Sequence, residues 1–108
     1  MARHVRRYTI ELYRTLENNQ RVVNDEPQTL HWTVNGKIVY VGSRKWGFID
    51  LWVDEDTSQV EAVRTFQTFT NGQEIPNDAQ YVGTVIMRTE NPNQLNEPQA
   101  WHLYERLV

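Results

Sequence analysis

The residues that most often carry chemistry are sparse here and poorly spaced for it. His4, His31 and His102 are the only histidines. None stands at the HxH or HxxxH spacing that brings two imidazoles to one metal. His102 lies between Trp101 and Leu103 on an expected strand, so its ring points away from theirs. Glu11, Asp50 and Glu105 are the carboxylates that could approach it, but a surface or hydrogen-bonded structural histidine is the favoured reading. Asp54-Glu55-Asp56 and Asp25-Glu26 pair carboxylates in sequence. Glycosidase-type work needs two carboxylates facing each other across a cleft. Neighbours on a turn diverge, so a solvated acidic turn is expected for residues 54 to 56. That turn also lacks the glycine and the distant glutamate of a calcium loop. Ser43 and Ser58 are the only serines, and neither sits in GxSxG. No P-loop and no dinucleotide GxGxxG occurs, and cysteine is absent. Catalytic residues, a metal site and a cofactor are therefore not expected, and an enzyme is not the leading reading.

The aromatic residues say more. Four Trp, five Tyr and three Phe are generous for one small core, so some should lie at a surface or an interface. Trp46 stands out because Arg44 and Lys45 precede it in the short turn Ser43 to Gly47. A ring beside two cations can stack a base and neutralise a phosphate. The plainer reading, a turn whose indole folds back over the sheet edge, is favoured over it. Arg64, Arg88 and Arg106 fall on three expected strands and could line an anion pocket or a dimer interface.

These residues need a frame. A chain of 108 residues implies one domain spanning 1–108, large enough for a single core. No stretch approaches the ~18 apolar residues of a membrane span, and no apolar segment follows the basic start as in a signal peptide. The lack of cysteine fits a reducing cytoplasm. Arg3, Arg6 and Arg7 supply three positive charges against a formal net charge of −3, which leaves the remainder at −6. An acidic body argues against general nucleic-acid binding. Residues 1–6 read as a solubilising, partly frayed basic tip, favoured over one that touches phosphate.

Alternation bounded by turns dominates the pattern and predicts strands. Tyr8, Ile10 and Leu12 share one face. Leu30, Trp32 and Val34 share another, and Asn35-Gly36 follows directly. Asn-Gly before Lys37 to Val41 is a hairpin cue, because a type I′ turn needs positive φ at both central residues. Further strands are expected at Phe48 to Val53, Val60 to Thr70, Tyr81 to Thr89 and Ala100 to Leu107. Leu12, Leu16 and Val23 carry a weak helical spacing that allows one short helix between 12 and 26. Residues 91–99, punctuated by Pro92 and Pro98, read as a protruding polar loop. Between Thr70 and Thr84, Asn71-Gly72 and Ile75-Pro76 read as rigid turns joining two core strands. Gly83 marks a bulge or a close backbone approach. The expected fold is all-β: an antiparallel small barrel or curled sheet of about seven strands, with at most one short helix. Unclosed edges favour a homodimer.

The order of Leu51-Trp52-Val53-Asp54, an acidic turn, Val63-Arg64-Thr65-Phe66, Asn71-Gly72-Gln73-Glu74-Ile75-Pro76, Tyr81-Val82-Gly83-Thr84 and Trp101-His102-Leu103-Tyr104-Glu105 resembles a family of small proteins from phage and prophage genomes. The likeness runs over roughly residues 28 to 106. Asn71-Gly72 stands where that family usually has Gly-Thr-Gly, and the stretches at 13–26 and 91–99 are longer than usual. The resemblance implies a phage origin and a compact β fold, and it attaches no activity. Together with the surplus rings, it points to a non-catalytic accessory protein in the host cytoplasm. Such a protein would bind a host protein, for instance a defence component, or a small nucleotide signal. A minor virion protein is the alternative.

Overall fold

The computed structural model describes residues 3–88 and 99–107. Nine strands form among them: β1 (Arg3–Glu11), β2 (Tyr13–Thr15), β3 (Arg21–Val23), β4 (Gln28–Thr33), β5 (Lys37–Gly42), β6 (Phe48–Asp56), β7 (Glu61–Phe69), β8 (Ala79–Met87) and β9 (Gln99–Arg106). All neighbouring strands are antiparallel. They make a three-stranded sheet in the order β1-β6-β5, a four-stranded sheet in the order β4-β7-β9-β8, and the small ribbon β2-β3. The fold is therefore all-β, as expected. The strands make three open sheets rather than one closed barrel. Among the described residues no helix is long and apolar enough to cross a membrane. The loop expected at 91–99 lies outside the described residues, except for Gln99, which opens β9.

Period-two alternation sorts β6 into two faces. Ile49, Leu51, Val53 and Glu55 are buried on one side. Phe48, Asp50, Trp52 and Asp54 lie on the other. The apolar set meets Ile10 from β1 and Leu12, together with Trp32, Phe66, Val85, Trp101 and Leu103 from the larger sheet, in one core. Each of the fully buried Ile, Leu, Val and Phe side chains contributes about 1.5–3 kcal/mol of transfer free energy. A bulge between Ile38 and Tyr40 shifts the β5–β6 register. It lets Ile38 and Val41, three residues apart, both reach the core, while Val39 and Tyr40 stay exposed. The second bulge lies between Tyr81 and Gly83 in β8. A Cβ on Gly83 would stand 3.2 Å from the Cβ of Val41, so both readings of that glycine hold: it ends a bulge, and it lets β8 approach β5.

Four expectations need correction. The stretch 12–26 holds no helix; it folds into the β2-β3 ribbon, turned at Asn19, whose φ is +64°. Leu12 is buried beside the ribbon, and its amide donates to the Gly47 carbonyl at 2.9 Å. Tertiary pairing overrides a weak 3–4 spacing. Within the basic start, residues 3–6 are strand rather than a frayed tip, since Arg3 opens β1 and pairs with Asp54. Asn35-Gly36 makes no hairpin, because β4 and β5 belong to different sheets. The turn closes from the Gly36 amide to the Thr33 carbonyl at 2.8 Å, and positive φ among glycines occurs at Gly47 and Gly72 instead. Gly36 is needed for space: a Cβ there would lie 2.7 Å from Cδ1 of the buried Trp32. Finally, Asp54, Glu55 and Asp56 continue β6 rather than forming a turn. Glu55 is buried and accepts from the Thr33 amide at 3.1 Å and from the Tyr8 hydroxyl. A carboxylate with two donors satisfies the rule that buried charge must be paired.

Candidate functional site

Alternation along the start of the chain builds the site. Tyr8, Ile10 and Leu12 turn toward the core. Arg7, Thr9 and Glu11 therefore share the opposite face, beside Phe48 and Asp50 of β6, which stand across from Glu11 and Thr9. Past the bend at Leu12, Tyr13 opens β2 and packs against the core. The connection from β5 to β6 ends in a tight turn in which the Phe48 amide donates to the Lys45 carbonyl at 3.3 Å. Gly47 occupies its third position with φ +87°, the geometry of a type II turn. That turn projects Trp46 over the β2-β3 ribbon. The Trp46 ring lies parallel to Tyr13, with centroids 4.9 Å apart and 12° between the planes. Its indole N–H donates to the Arg88 carbonyl at 2.9 Å. The indole thus folds back onto its neighbours, as the plainer expectation had it, and in doing so it forms the wall of a cleft.

The cleft has a volume of about 410 Å³, and its lining includes Tyr13, Arg14, Arg21, Lys45, Trp46 and Phe48 together with Glu11. The Arg21 guanidinium lies 5.2 Å from the Trp46 ring centroid, and the Lys45 ammonium lies 5.2 Å from that of Phe48. Arg14, Arg21 and Lys45 bring three cationic groups to the cleft beside Glu11, in a chain whose net charge is −3. Burial pushes the Tyr13 hydroxyl above its ordinary pKa, and the Arg21 charge partly opposes that shift. Edge-on contact between Tyr13 and the buried Trp101 ties the cleft to the core, with centroids 5.4 Å apart.

A smaller compartment of about 170 Å³ adjoins this cleft and shares Lys45 and Phe48 with it. Thr9, Arg44 and Asp50 complete its lining. Asp50 is 1% exposed. Its Oδ1 accepts from the Thr9 hydroxyl at 3.0 Å and its Oδ2 from the Arg44 amide at 3.0 Å.

The turn thus brings Trp46, Lys45 and Arg44 to one place. Arg88 joins them through its carbonyl. Arg64 and Arg106 lie elsewhere and are held by carboxylates. Arg64 forms a two-pronged pair with Glu105 at 2.5 and 2.6 Å and covers the Trp32 ring. Arg106 forms another with Asp78 at 2.8 and 2.9 Å. His102 meets none of Glu11, Asp50 or Glu105 in a hydrogen bond. Its Nδ1 and Nε2 lie 3.0 Å from the Thr84 hydroxyl and 2.7 Å from Asn71 Oδ1. Among the described residues no group of three or more His, Asp or Glu side chains is placed to hold a metal ion. Sequence reasoning missed Tyr13, Arg14, Arg21, Thr9 and Asp50. The first three were hidden by the helical reading of 12–26. The alternation of β1 does carry the signal for Thr9, because residues 9 and 11 fall opposite the apolar 8 and 10.

No curated protein and no solved structure matches the chain. A family model described as a domain of unknown function, DUF7352, matches residues 1–108. The chain, with its aromatic-walled cleft on an all-β frame, belongs to that family.

Proposed function

We propose that the cleft at Trp46 binds a small, planar, anionic ligand of the nucleotide class, and that the protein works by capturing it. The observation that carries this reading is the Tyr13–Trp46 stack standing in a pocket walled by Arg14, Arg21 and Lys45. Stacking one base on an aromatic side chain contributes about 1–3 kcal/mol and tolerates any base. Guanidinium groups add charge-assisted hydrogen bonds to phosphate oxygens. Cationic side chains such as Arg14 and Lys45 in the lining of the cleft also attract anions locally. In the phage setting that the resemblance implies, such a protein sequesters a nucleotide signal in the host cytoplasm. Pairing of two copies through an open sheet edge belongs to the same reading.

The test is calorimetric titration with the four nucleoside 5′-monophosphates and a dinucleotide. At least one should bind saturably with a Kd below about 1 mM, and Trp46→Ala should abolish that binding. Flat isotherms across the panel would overturn the reading.

A further inference from the structure

We infer that the smaller compartment beside the Trp46 cleft is a phosphate subsite, so that one ligand spans both, with its base against Trp46 and its phosphate over Arg44. This rests on the reading of the cleft given above and adds where the charged group goes. Asp50 is the key to the assignment. Its carboxylate is buried on the outward side of β6, and it fixes Arg44 by accepting from the Arg44 amide at 3.0 Å while Nε stands 3.3 Å away. The two terminal nitrogens of Arg44 make no hydrogen bond among the described residues, and its side chain is 51% exposed. An arginine anchored at Nε with its fork open is suited to two-pronged contact with a phosphate. Arg7 stands 3.9 Å from the same carboxylate, and Lys45 lines the compartment. One carboxylate among three cations leaves a surplus of positive charge.

The spacing agrees. Thr9 lines the small compartment and Glu11 the large one. Two residues along a strand span about 7 Å, roughly the reach of a ribose with its 5′ methylene. Lys45, shared by both compartments, can follow the phosphate. Asp50 acts here as a positioning residue, and Arg44 is the group that touches the ligand.

The experiment compares each nucleotide that binds with its parent nucleoside, using wild type, Arg44→Ala, Arg44→Lys and Arg21→Ala. The wild type should prefer the nucleotide by about tenfold. Arg44→Ala should reduce that preference to about twofold or less. Arg44→Lys keeps a cation beside Asp50 and should recover only part of the preference, which guards against a folding defect in the alanine variant. A preference that survives both Arg44 variants but vanishes in Arg21→Ala would put the phosphate in the larger cleft and overturn this assignment, with the cleft reading intact. No binding of either ligand by the wild type would instead overturn the cleft reading, and this assignment with it.

Discussion

Trp46 lies flat on Tyr13, their planes 12° apart, and Tyr13 in turn meets Trp101 edge-on at 74°. The two contacts predict unequal roles. Tyr13 links cleft and core, so Tyr13→Ala should destabilise the fold by about 2 kcal/mol, and Trp46→Ala by less. A double-mutant cycle over the pair should return a coupling near 1 kcal/mol. Urea denaturation of the four proteins measures it, and additive losses would show that the stack contributes nothing of its own.

Two glycines should fail as alanines for different reasons. At Gly47 the φ of +87° is the obstacle, since a Cβ there would meet nothing nearer than Tyr13 Cδ2 at 3.7 Å. Gly47→Ala should cost about 1–2 kcal/mol, and Gly47→Asn less, because asparagine tolerates left-handed backbone. At Gly36 the obstacle is Trp32, 2.7 Å from the added Cβ. Gly36→Ala should cost about 1–3 kcal/mol by overpacking, with no relief from asparagine. Denaturation midpoints of the four variants separate the two causes.

Much of the frame was legible because it rests on alternation. Tyr8, Ile10 and Leu12 announce a core face whether or not the partner strand is known, and a glycine inside a strand at Gly83 signals the bulge and the close approach found there. What stayed hidden depends on partners distant in sequence. Asn35-Gly36 signals a tight turn, but whether its flanking strands pair is decided by β6 and β7, which capture β5 and β4 separately. Asp54-Glu55-Asp56 looks like solvated charge until Tyr8 and the Thr33 amide arrive to satisfy Glu55. The site shows the same limit. Arg44, Lys45 and Trp46 are adjacent in the chain and were visible together. Tyr13, Arg14 and Arg21 join them only through the ribbon, and Asp50 only through the register of β6 against β1.

Glu55 offers a direct test of that buried polar link. Glu55→Ala strands two donors, the Thr33 amide and the Tyr8 hydroxyl, at about 1–3 kcal/mol each. Glu55→Gln keeps an acceptor for the amide and should recover at least half of the loss. Equal destabilisation by the two variants, measured in urea, would mean that the negative charge itself holds the site together.

Stability should fall at both ends of the pH scale for separate reasons. The two-pronged hydrogen bond from Arg106 holds the Asp78 carboxyl below its ordinary value of 3.8, and Arg3 does the same for Asp54. Lowered folded values mean that this contribution is complete above about pH 4 and is lost as pH falls through them. Tyr8 works in the opposite sense. Burial first, and then its hydrogen bond to Glu55 and that group's negative charge, push the hydroxyl from 10.0 up to about 12. The protonated phenol is the form that the fold favours, so its contribution is intact below pH 10 and disappears between pH 10 and about 12. Melting temperatures followed by circular dichroism should therefore drop steeply across that alkaline window in the wild type and more gently in Tyr8→Phe. Asp78→Asn should flatten the acid limb and leave the alkaline one unchanged. An alkaline limb identical in Tyr8→Phe and wild type would remove the Tyr8–Glu55 pair as its cause.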